Sequence, residues 1–141
     1  MTSFILYSQN TKEVIAKRIL TPPTIDGILN EAYWLDVNPA QDFVMLEPYN
    51  GKIERTSERT EVVIVYDDNA LYIGAKLYDQ NSHLILTELG PRDDNEKNAD
   101  IFEIWLNPFN DGINQLNFGV TAAGVQFDGI FNGENLDMNW D

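Results

Sequence analysis

The chain has 141 residues, no cysteine, and 23 Asp and Glu against nine Lys and Arg, which gives a formal net charge of −14. This charge repels the phosphate backbone and anionic lipid surfaces, so nucleic acid is excluded as a favoured partner. The lack of cysteine excludes disulfides, thiolate metal sites and cysteine nucleophiles. No apolar run reaches the roughly eighteen residues that span a bilayer, so we predict no direct membrane insertion by this domain.

The N-terminal residues have two interpretations. Residues 3–9 read either as the end of a secretory signal, in which case the native protein is exported, or as an ordinary first strand. We assign residues 1–12 as an N-terminal extension and residues 13–141 as one domain, a length that is sufficient for a hydrophobic core of its own.

The next residues predict a strand, a short helix and a second strand. Residues 13–20 are a predicted strand, which ends before Pro22-Pro23 because proline has no amide hydrogen to donate. Residues 29–35 have apolar side chains at helical spacing and predict one or two helical turns. Residues 41–47 predict a short strand, and the polar residues 48–58 predict an exposed loop.

Residues 59–79 predict a β-hairpin at the centre of a sheet. The apolar residues of its first strand occupy both faces, as in a strand that is buried on both sides. Asp67, Asp68 and Asn69 supply the polar residues of the turn, because their side chains cap their own backbone and tolerate positive φ.

The rest of the chain predicts a long loop followed by an antiparallel meander. Residues 80–99 are too polar for a core and form the loop, and residues 100–107 alternate as a strand with its apolar side chains inward. Residues 115–120 and 125–131 are predicted strands after turns at Asp111-Gly112 and Ala123-Gly124. The predicted fold is all-β, an antiparallel β-sandwich or jelly roll with one short helix.

The inventory of catalytic residues favours a protein that is not an enzyme. His83 is the only histidine, so neither a Ser-His-Asp triad nor a multi-histidine metal centre can be assembled. Acidic residues are numerous, but no pair is singled out for glycoside hydrolysis. Haem binding is a further alternative, with His83 and either Met45 or Met138 as axial ligands.

Trp105 is the candidate for a ligand platform. It shares a strand face with Glu103 and Asn107, and an exposed indole stacks on the apolar face of a sugar ring. The alternative is that this face belongs to a second core. Trp34 is expected in the core beside the predicted helix, and Trp140 lies one residue from the end of the sequence.

Acidic clusters on turns and strand ends favour calcium, whose ligands are carboxylate and carbonyl oxygens. The alternative is that these residues serve only as turn caps and as a soluble surface. Arg92 either locks the acidic loop by ion pairing, which is the favoured role, or donates to a ligand hydroxyl. The clusters include Asp67-Asp68, Asp93-Asp94, Asp100, Asp111 and Asp128.

Several of these segments together resemble the family 9 carbohydrate-binding-module-like domain. They are PPTIDGILNEAYW, RTEVVIVYDDNALYIGAKLYD, LGPRDDNEKNADIFEIWLNPFND, NFGVTAAGVQFDG and the closing DMNWD. More narrowly, they are similar to the version at the N-terminus of large exported bacterial proteins, where a domain of uncharacterised function follows. The resemblance covers roughly residues 20–141 and implies a β-sandwich, structural calcium and, in characterised members, sugar binding between aromatic side chains.

The resemblance also assigns residues. The positions that match the narrower group are Asp26, Asp79, Arg92, Asp93, Asp94, Asp100, Asp128 and Trp140. Together with the strand pattern, it predicts a ligand site of Trp105, Arg92, Glu103, Asn107 and Tyr78, in which Tyr78 or Phe109 is the second ring, and a calcium site of Asp93, Asp94, Asp100 and Asp128. Family domains continue past the position of Asp141, so the chain is expected to lack its last strands.

These observations predict a non-catalytic carbohydrate-binding module of an exported cell-envelope protein. Its expected location is the periplasm or the outer membrane, and its expected partners are an oligo- or polysaccharide and the C-terminal domains of the full-length protein. The alternative is a structural or docking domain of a larger outer-membrane-associated protein, without sugar binding.

Overall fold

The structure is a computed structural model that describes residues 12–94 and 98–139. The chain divides into two compact units, of which the first ends at Gln80 and the second begins at Asn81. The strands of the described part are β1 (Lys17–Arg18), β2 (Thr60–Tyr66), β3 (Leu71–Leu77), β4 (Ile101–Leu106), β5 (Gln115–Thr121), β6 (Gln126–Phe131) and β7 (Leu136–Asp137). One α-helix, α1 (Ala32–Leu35), and two 3₁₀ helices, Thr56–Glu58 and Ser82–Leu84, complete it.

The predicted all-β class with one short helix is confirmed. The strands form a three-stranded sheet and a four-stranded sheet, a content that fits a sandwich-like fold. None of the helices in the described ranges has the length and apolarity needed to cross a membrane. How the chain divides into an N-terminal extension and one domain stays a prediction, and residues 1–11 lie outside the described part.

The sheet of the first unit is built on the predicted hairpin. Its order is β1-β2-β3, so β2 is central, and β2 pairs antiparallel with β3 from Thr60 opposite Leu77 to Tyr66 opposite Leu71. Asp67 caps the turn, because its Oδ1 accepts the amide hydrogens of Asn69 and Ala70. β1 runs parallel to β2, which departs from the predicted all-antiparallel arrangement.

Trp34 lies in the core of the first unit, as predicted. It is 6% exposed and packs over Gly74, where an added Cβ would lie 3.1 Å from the indole. Its Nε1 donates to one carboxylate oxygen of Glu31 at 2.8 Å, and the other oxygen accepts the amide of Thr24 at 2.9 Å. This backbone amide is the main cause that lowers the pKa of Glu31. The remaining buried members of the core are Ile19, Val37, Val63 and Val65.

Two strand predictions in the first unit are corrected. The predicted strand 13–20 is reduced to β1, and the predicted strand 41–47 is wrong. Asp42 has a φ of 57°, which interrupts the extended backbone. Val44 then forms an isolated bridge with Ile53. The pairing is therefore local and does not extend the sheet.

The second unit contains an antiparallel sheet in the order β4-β5-β6-β7. β4, β5 and β6 were predicted from the sequence, whereas β7 was not. The β4–β5 turn is held by Asp111, whose carboxylate accepts the amides of Ile113 and Asn114. Asn132 acts in the same way before β7, because its Oδ1 accepts the amides of Glu134 and Asn135.

Side chains alternate along β4 as predicted, and its apolar row is half-buried while the alternate side chains are exposed. On β5 the burial is reversed, because Phe118 and Val120, on the face of the apolar row, are 40% and 38% exposed. Phe127 and Asn117, on the opposite face, are buried. The reason lies in cross-strand packing: the Phe127 ring covers Gly119, and residues 136–138 cover Gly129.

Candidate functional site

The buried residues and Trp105 share one face of the second unit's sheet. In the strand register, Glu103, Gly119 and Phe127 form one row across β4, β5 and β6. The next row contains Trp105, Asn117 and Gly129, and Phe131 lies beyond it on β6. We call this surface the Trp105 face, and it consists of Glu103, Trp105, Asn117, Gly119, Phe127, Gly129 and Phe131.

Trp105 is half-exposed on this face. Its indole is 42% exposed and makes an edge-to-face contact with Phe131, with ring centroids 6.2 Å apart and an interplanar angle of 83°. Such aromatic contacts contribute about 0.5–1.5 kcal/mol beyond the area that they bury, and they fix ring orientation. The indole is therefore held in place while much of its surface stays in contact with solvent.

Asn117 lies beside Trp105 and is 0% exposed. Its Nδ2 is 3.2 Å from Oε2 of Glu103 and 3.5 Å from the carbonyl oxygen of Ile104. Its Oδ1 has no hydrogen-bond partner, although it is buried. Exchanging the two amide atoms would set Oδ1 against the Glu103 carboxylate, so that carboxylate fixes the orientation of the amide.

Asn107 follows β4 and stabilises the turn between β4 and β5. Its Oδ1 accepts the amide of Asp111 at 3.3 Å. Hydrogen bonds from the Asn114 side chain and from the amides of Ile113 and Asn114 lower the pKa of Asp111 to about 2. Phe109 lies on the same turn and is 74% exposed. The turn is thus a fixed structure, with one aromatic ring in solvent.

Arg92 binds acidic side chains of the same unit. Its Nε lies 3.4 Å from Oδ2 of Asp93, and its Nη2 donates to Oδ1 of Asp128. Asp128 stands opposite Phe118 in the register, so its side chain is on the face opposite Trp105. The structure therefore does not bring Arg92 to the Trp105 face, and this geometry favours the loop-locking role.

Tyr78 belongs to the first unit and is engaged there. The Arg59 guanidinium lies 3.7 Å from its ring centroid, and its hydroxyl donates to Glu61 at 3.1 Å. Arg59 also donates to Glu61 through Nε at 3.1 Å. The hydrogen bond from Arg59 is the main cause that lowers the pKa of Glu61, and it raises the pKa of Arg59. One face of the Tyr78 ring is therefore covered by a cation.

The predicted calcium ligands are partly gathered. Asp93 and Asp128 meet at Arg92, and Asp93 Oδ1 accepts the amide of Asp128 at 3.4 Å. The backbone amide of Asp100 donates to the carbonyl oxygen of Leu86 at 2.9 Å. Within residues 12–94 and 98–139, no group of three or more His, Cys, Asp or Glu side chains is arranged to hold a metal ion. Calcium binding stays a prediction, and Trp140 lies outside the described residues.

His83 lies in the 3₁₀ helix Ser82–Leu84 of the second unit, whereas Met45 lies in the first unit. Haem ligation by this histidine stays an alternative from the sequence.

Comparison with known proteins finds no match: no family model, no curated protein and no solved structure is significantly similar to this chain. The resemblance to the family 9 carbohydrate-binding-module-like domain therefore stays a prediction.

Sequence reasoning missed the residues of β5 and β6 on the Trp105 face, of which Asn117 and Phe131 are nearest in kind to a binding site. Their positions on this face follow from the strand register. Asn117 lies on β5 opposite Trp105, and Phe131 lies on β6, the strand beyond β5. The available signal was the polar Asn117 between Leu116 and Phe118 in a predicted strand, since a polar residue that is placed in a sheet needs a hydrogen-bond partner.

Proposed function

We propose that this chain is a non-catalytic carbohydrate-binding module. The observation that carries the proposal is the Trp105 face, where a half-exposed indole lies beside the carboxylate of Glu103 and the amide of Asn117. A sugar ring has an apolar face of C–H groups and a rim of hydroxyls. An indole with adjacent polar groups complements both features, because the ring takes the apolar face and the polar atoms bind the rim.

Glu103 supplies the acceptors for sugar hydroxyls. It is exposed, and Asn117 donates to one of its carboxylate oxygens at 3.2 Å. That bond orients the carboxylate beside Trp105, and an ionised carboxylate has lone pairs left for hydroxyl donors. Asn117 is a positioning residue, since it is fully buried and acts through Glu103.

The composition of the face supports binding without catalysis. Glu103 is the only carboxylate among its residues, whereas glycoside hydrolysis uses a pair of carboxyl groups on either side of the scissile bond. The resemblance adds the cellular setting of the proposal: an exported protein of the periplasm or outer membrane that carries further domains C-terminal to this one.

Calorimetric titration with a panel of oligosaccharides, together with a glycan array, tests the proposal. We expect dissociation constants in the millimolar range or tighter, and Trp105→Ala to weaken binding by at least about tenfold, or 1.4 kcal/mol. Phe118→Ala is the matched control, because Phe118 has nearly the same exposure on the other face of the sheet. A wild-type affinity no tighter than about 10 mM for every sugar would refute the proposal.

A second candidate is a structural or docking domain that binds no sugar. The specific observation in its favour is that several acidic side chains of the described residues stabilise turns and loops through hydrogen bonds and ion pairs. Asp67 and Asp111 cap hairpin turns, and Asp93 and Asp128 hold Arg92. This candidate predicts that neither the wild-type chain nor Trp105→Ala binds any glycan in the same titrations.

Calcium binding by Asp93, Asp94, Asp100 and Asp128 is a separate proposal. Arg92 already offsets part of the charge of Asp93 and Asp128, so a cation at these two carboxylates has to displace or join the guanidinium. Calcium at a hundred times its dissociation constant stabilises the folded state by about 2.7 kcal/mol. Thermal melts with calcium, magnesium and chelator test this, and three identical midpoints would contradict it.

A further inference from the structure

β4 is an end strand of the second unit's sheet. The order β4-β5-β6-β7 places it at one end, and β5 is the described strand that pairs with it. Among the described residues of this unit, 81–94 and 98–139, no other segment makes a backbone hydrogen bond to Ile101–Leu106. A strand in this position presents a row of amide and carbonyl groups to solvent.

The strand register identifies which backbone groups point outward. The Thr121 amide donates to the Val125 carbonyl at 2.9 Å, so the backbone groups of Thr121 are directed away from β4. Ile101 stands opposite Thr121, and in such an antiparallel pair the groups of both residues point away from each other. Because this direction alternates along a strand, the amides and carbonyls of Ile101, Glu103 and Trp105 point away from β5.

The side of β6 away from β5 is covered. β7 pairs with the end of β6, from Ile130 to Phe131. At the start of β6, the Asp93 amide donates to the Gln126 carbonyl at 3.0 Å, and the Asp93 carboxylate accepts the Asp128 amide. Natural edge strands are protected by such covers, or by Lys, Pro and bulges. β4, with the sequence IFEIWL, contains neither Lys nor Pro, its pairing with β5 is continuous, and Glu103 is its one charged side chain.

We propose that the β4 edge binds an extended segment of a partner protein as a fifth strand, and that this segment alternates apolar and basic residues. The negative charge of the second unit favours basic residues in the partner segment. Residues 81–141 contain eleven Asp and Glu against two basic residues, Arg92 and Lys97. A basic side chain that enters beside Glu103 gains an ion pair, and the indole of Trp105 adds a cation–π contact.

The alternate residues of the segment meet the other face of β4. There, the half-buried side chains of Phe102, Ile104 and Leu106 form an apolar row, which apolar residues of the partner extend across the sheet. A second copy of this chain is a poorer occupant, because each copy carries a net charge of −14. This inference rests on the sheet edge and does not depend on sugar binding.

The probe is a synthetic seven-residue peptide of alternating valine and lysine, titrated into ¹⁵N-labelled full chain. We expect a dissociation constant below about 1 mM, and slowed amide exchange at Ile101, Glu103 and Trp105 on binding. The same peptide with N-methyl groups at alternate residues keeps its charges but lacks edge donors, so it should bind at least tenfold more weakly. The valine–glutamate analogue should bind at least tenfold more weakly as well.

Variants of the chain distinguish binding at the β4 edge from a general effect of net charge. Glu103→Lys should weaken the valine–lysine peptide at least tenfold, whereas Glu134→Lys, which changes the net charge equally at an exposed turn, should change its affinity less than threefold. Equal binding of the N-methylated peptide, no binding of any peptide at 1 mM, or self-association of the chain through β4 would each overturn the proposal.

Discussion

Trp34 in the first unit and Trp105 in the second unit have the same side chain and opposite environments. Trp34 is 6% exposed, its indole packs on Gly74, and its Nε1 donates to Glu31. Trp105 is 42% exposed and has Glu103 and Asn117 as polar neighbours on the same sheet face. One tryptophan is a core residue with its single donor satisfied, and the other is half-exposed beside polar groups.

The residues across the strands determine the environment of each tryptophan. Gly74 leaves space over β3, so a large ring fits against the sheet and stabilises the core. At Trp105, the cross-strand neighbour Asn117 is itself buried and polar, and the ring stays at the surface. We therefore expect substitutions at Trp34 to change stability and substitutions at Trp105 to change binding.

The largest effect is expected from Trp34→Ala. Removing a buried indole should lower the free energy of unfolding by about 3–5 kcal/mol, because transfer energy is lost and a cavity remains. Urea denaturation followed by circular dichroism measures this change. A loss below about 1 kcal/mol would show that Trp34 is not part of the core.

A smaller effect is expected from Asn117→Asp. The substitution places a carboxylate in a fully buried position next to Glu103, which should cost about 1–3 kcal/mol through desolvation and repulsion. Asn117→Leu is the control, since it has the same branched shape and no charge, and it should change stability by less than about 1 kcal/mol. The same urea titration compares them, and equal stability of the two variants would contradict the buried amide interaction.

The sequence predicted most strands of the fold because their signals are local. The two apolar faces of residues 62–66, the turn residues Asp67 and Asp111, and the alternation of β4 depend only on neighbours in the chain. The wrong strand at 41–47 reflects the left-handed conformation of Asp42, which an apolar pattern does not reveal. β7 has two residues, too few for any periodicity.

The site was predicted in part. Trp105 and Glu103 follow from alternation along one strand, so they were found together. Asn117 required the register between β4 and β5, and Arg92 was placed with Trp105 although it binds Asp128 on the other face. Pairings between strands depend on turn geometry and long-range packing, which a single sequence does not specify.

The turn at Asp111 should respond to acid. The pKa of this carboxyl falls to about 2 in the fold, below the ordinary value of about 3.9, so its contribution is present above about pH 4 and is lost as the pH falls through about 2. Asp111→Ala should therefore lower the melting temperature at pH 6 and have little effect near pH 2. Glu134→Ala serves as the control, and a pH-independent difference at Asp111 would contradict this role.

The smallest change in stability is expected from Trp105→Ala. The indole is half-exposed, so its removal should alter the free energy of unfolding by no more than about 1 kcal/mol, including the lost contact with Phe131. Chemical denaturation of this variant beside Trp34→Ala makes the comparison direct. A loss as large as that of Trp34→Ala would assign Trp105 to a core instead.

The indole N–H signals in a ¹H–¹⁵N spectrum distinguish a ligand-binding role of Trp105 from a purely structural role of Trp34. The signals are assigned with Trp34→Phe and Trp105→Phe variants, and oligosaccharide is then added to the wild-type chain. We predict that the Trp105 signal shifts with ligand concentration while the Trp34 signal stays in place. A shift of the Trp34 signal alone, or no shift of the Trp105 signal with any sugar up to about 10 mM, would contradict the account.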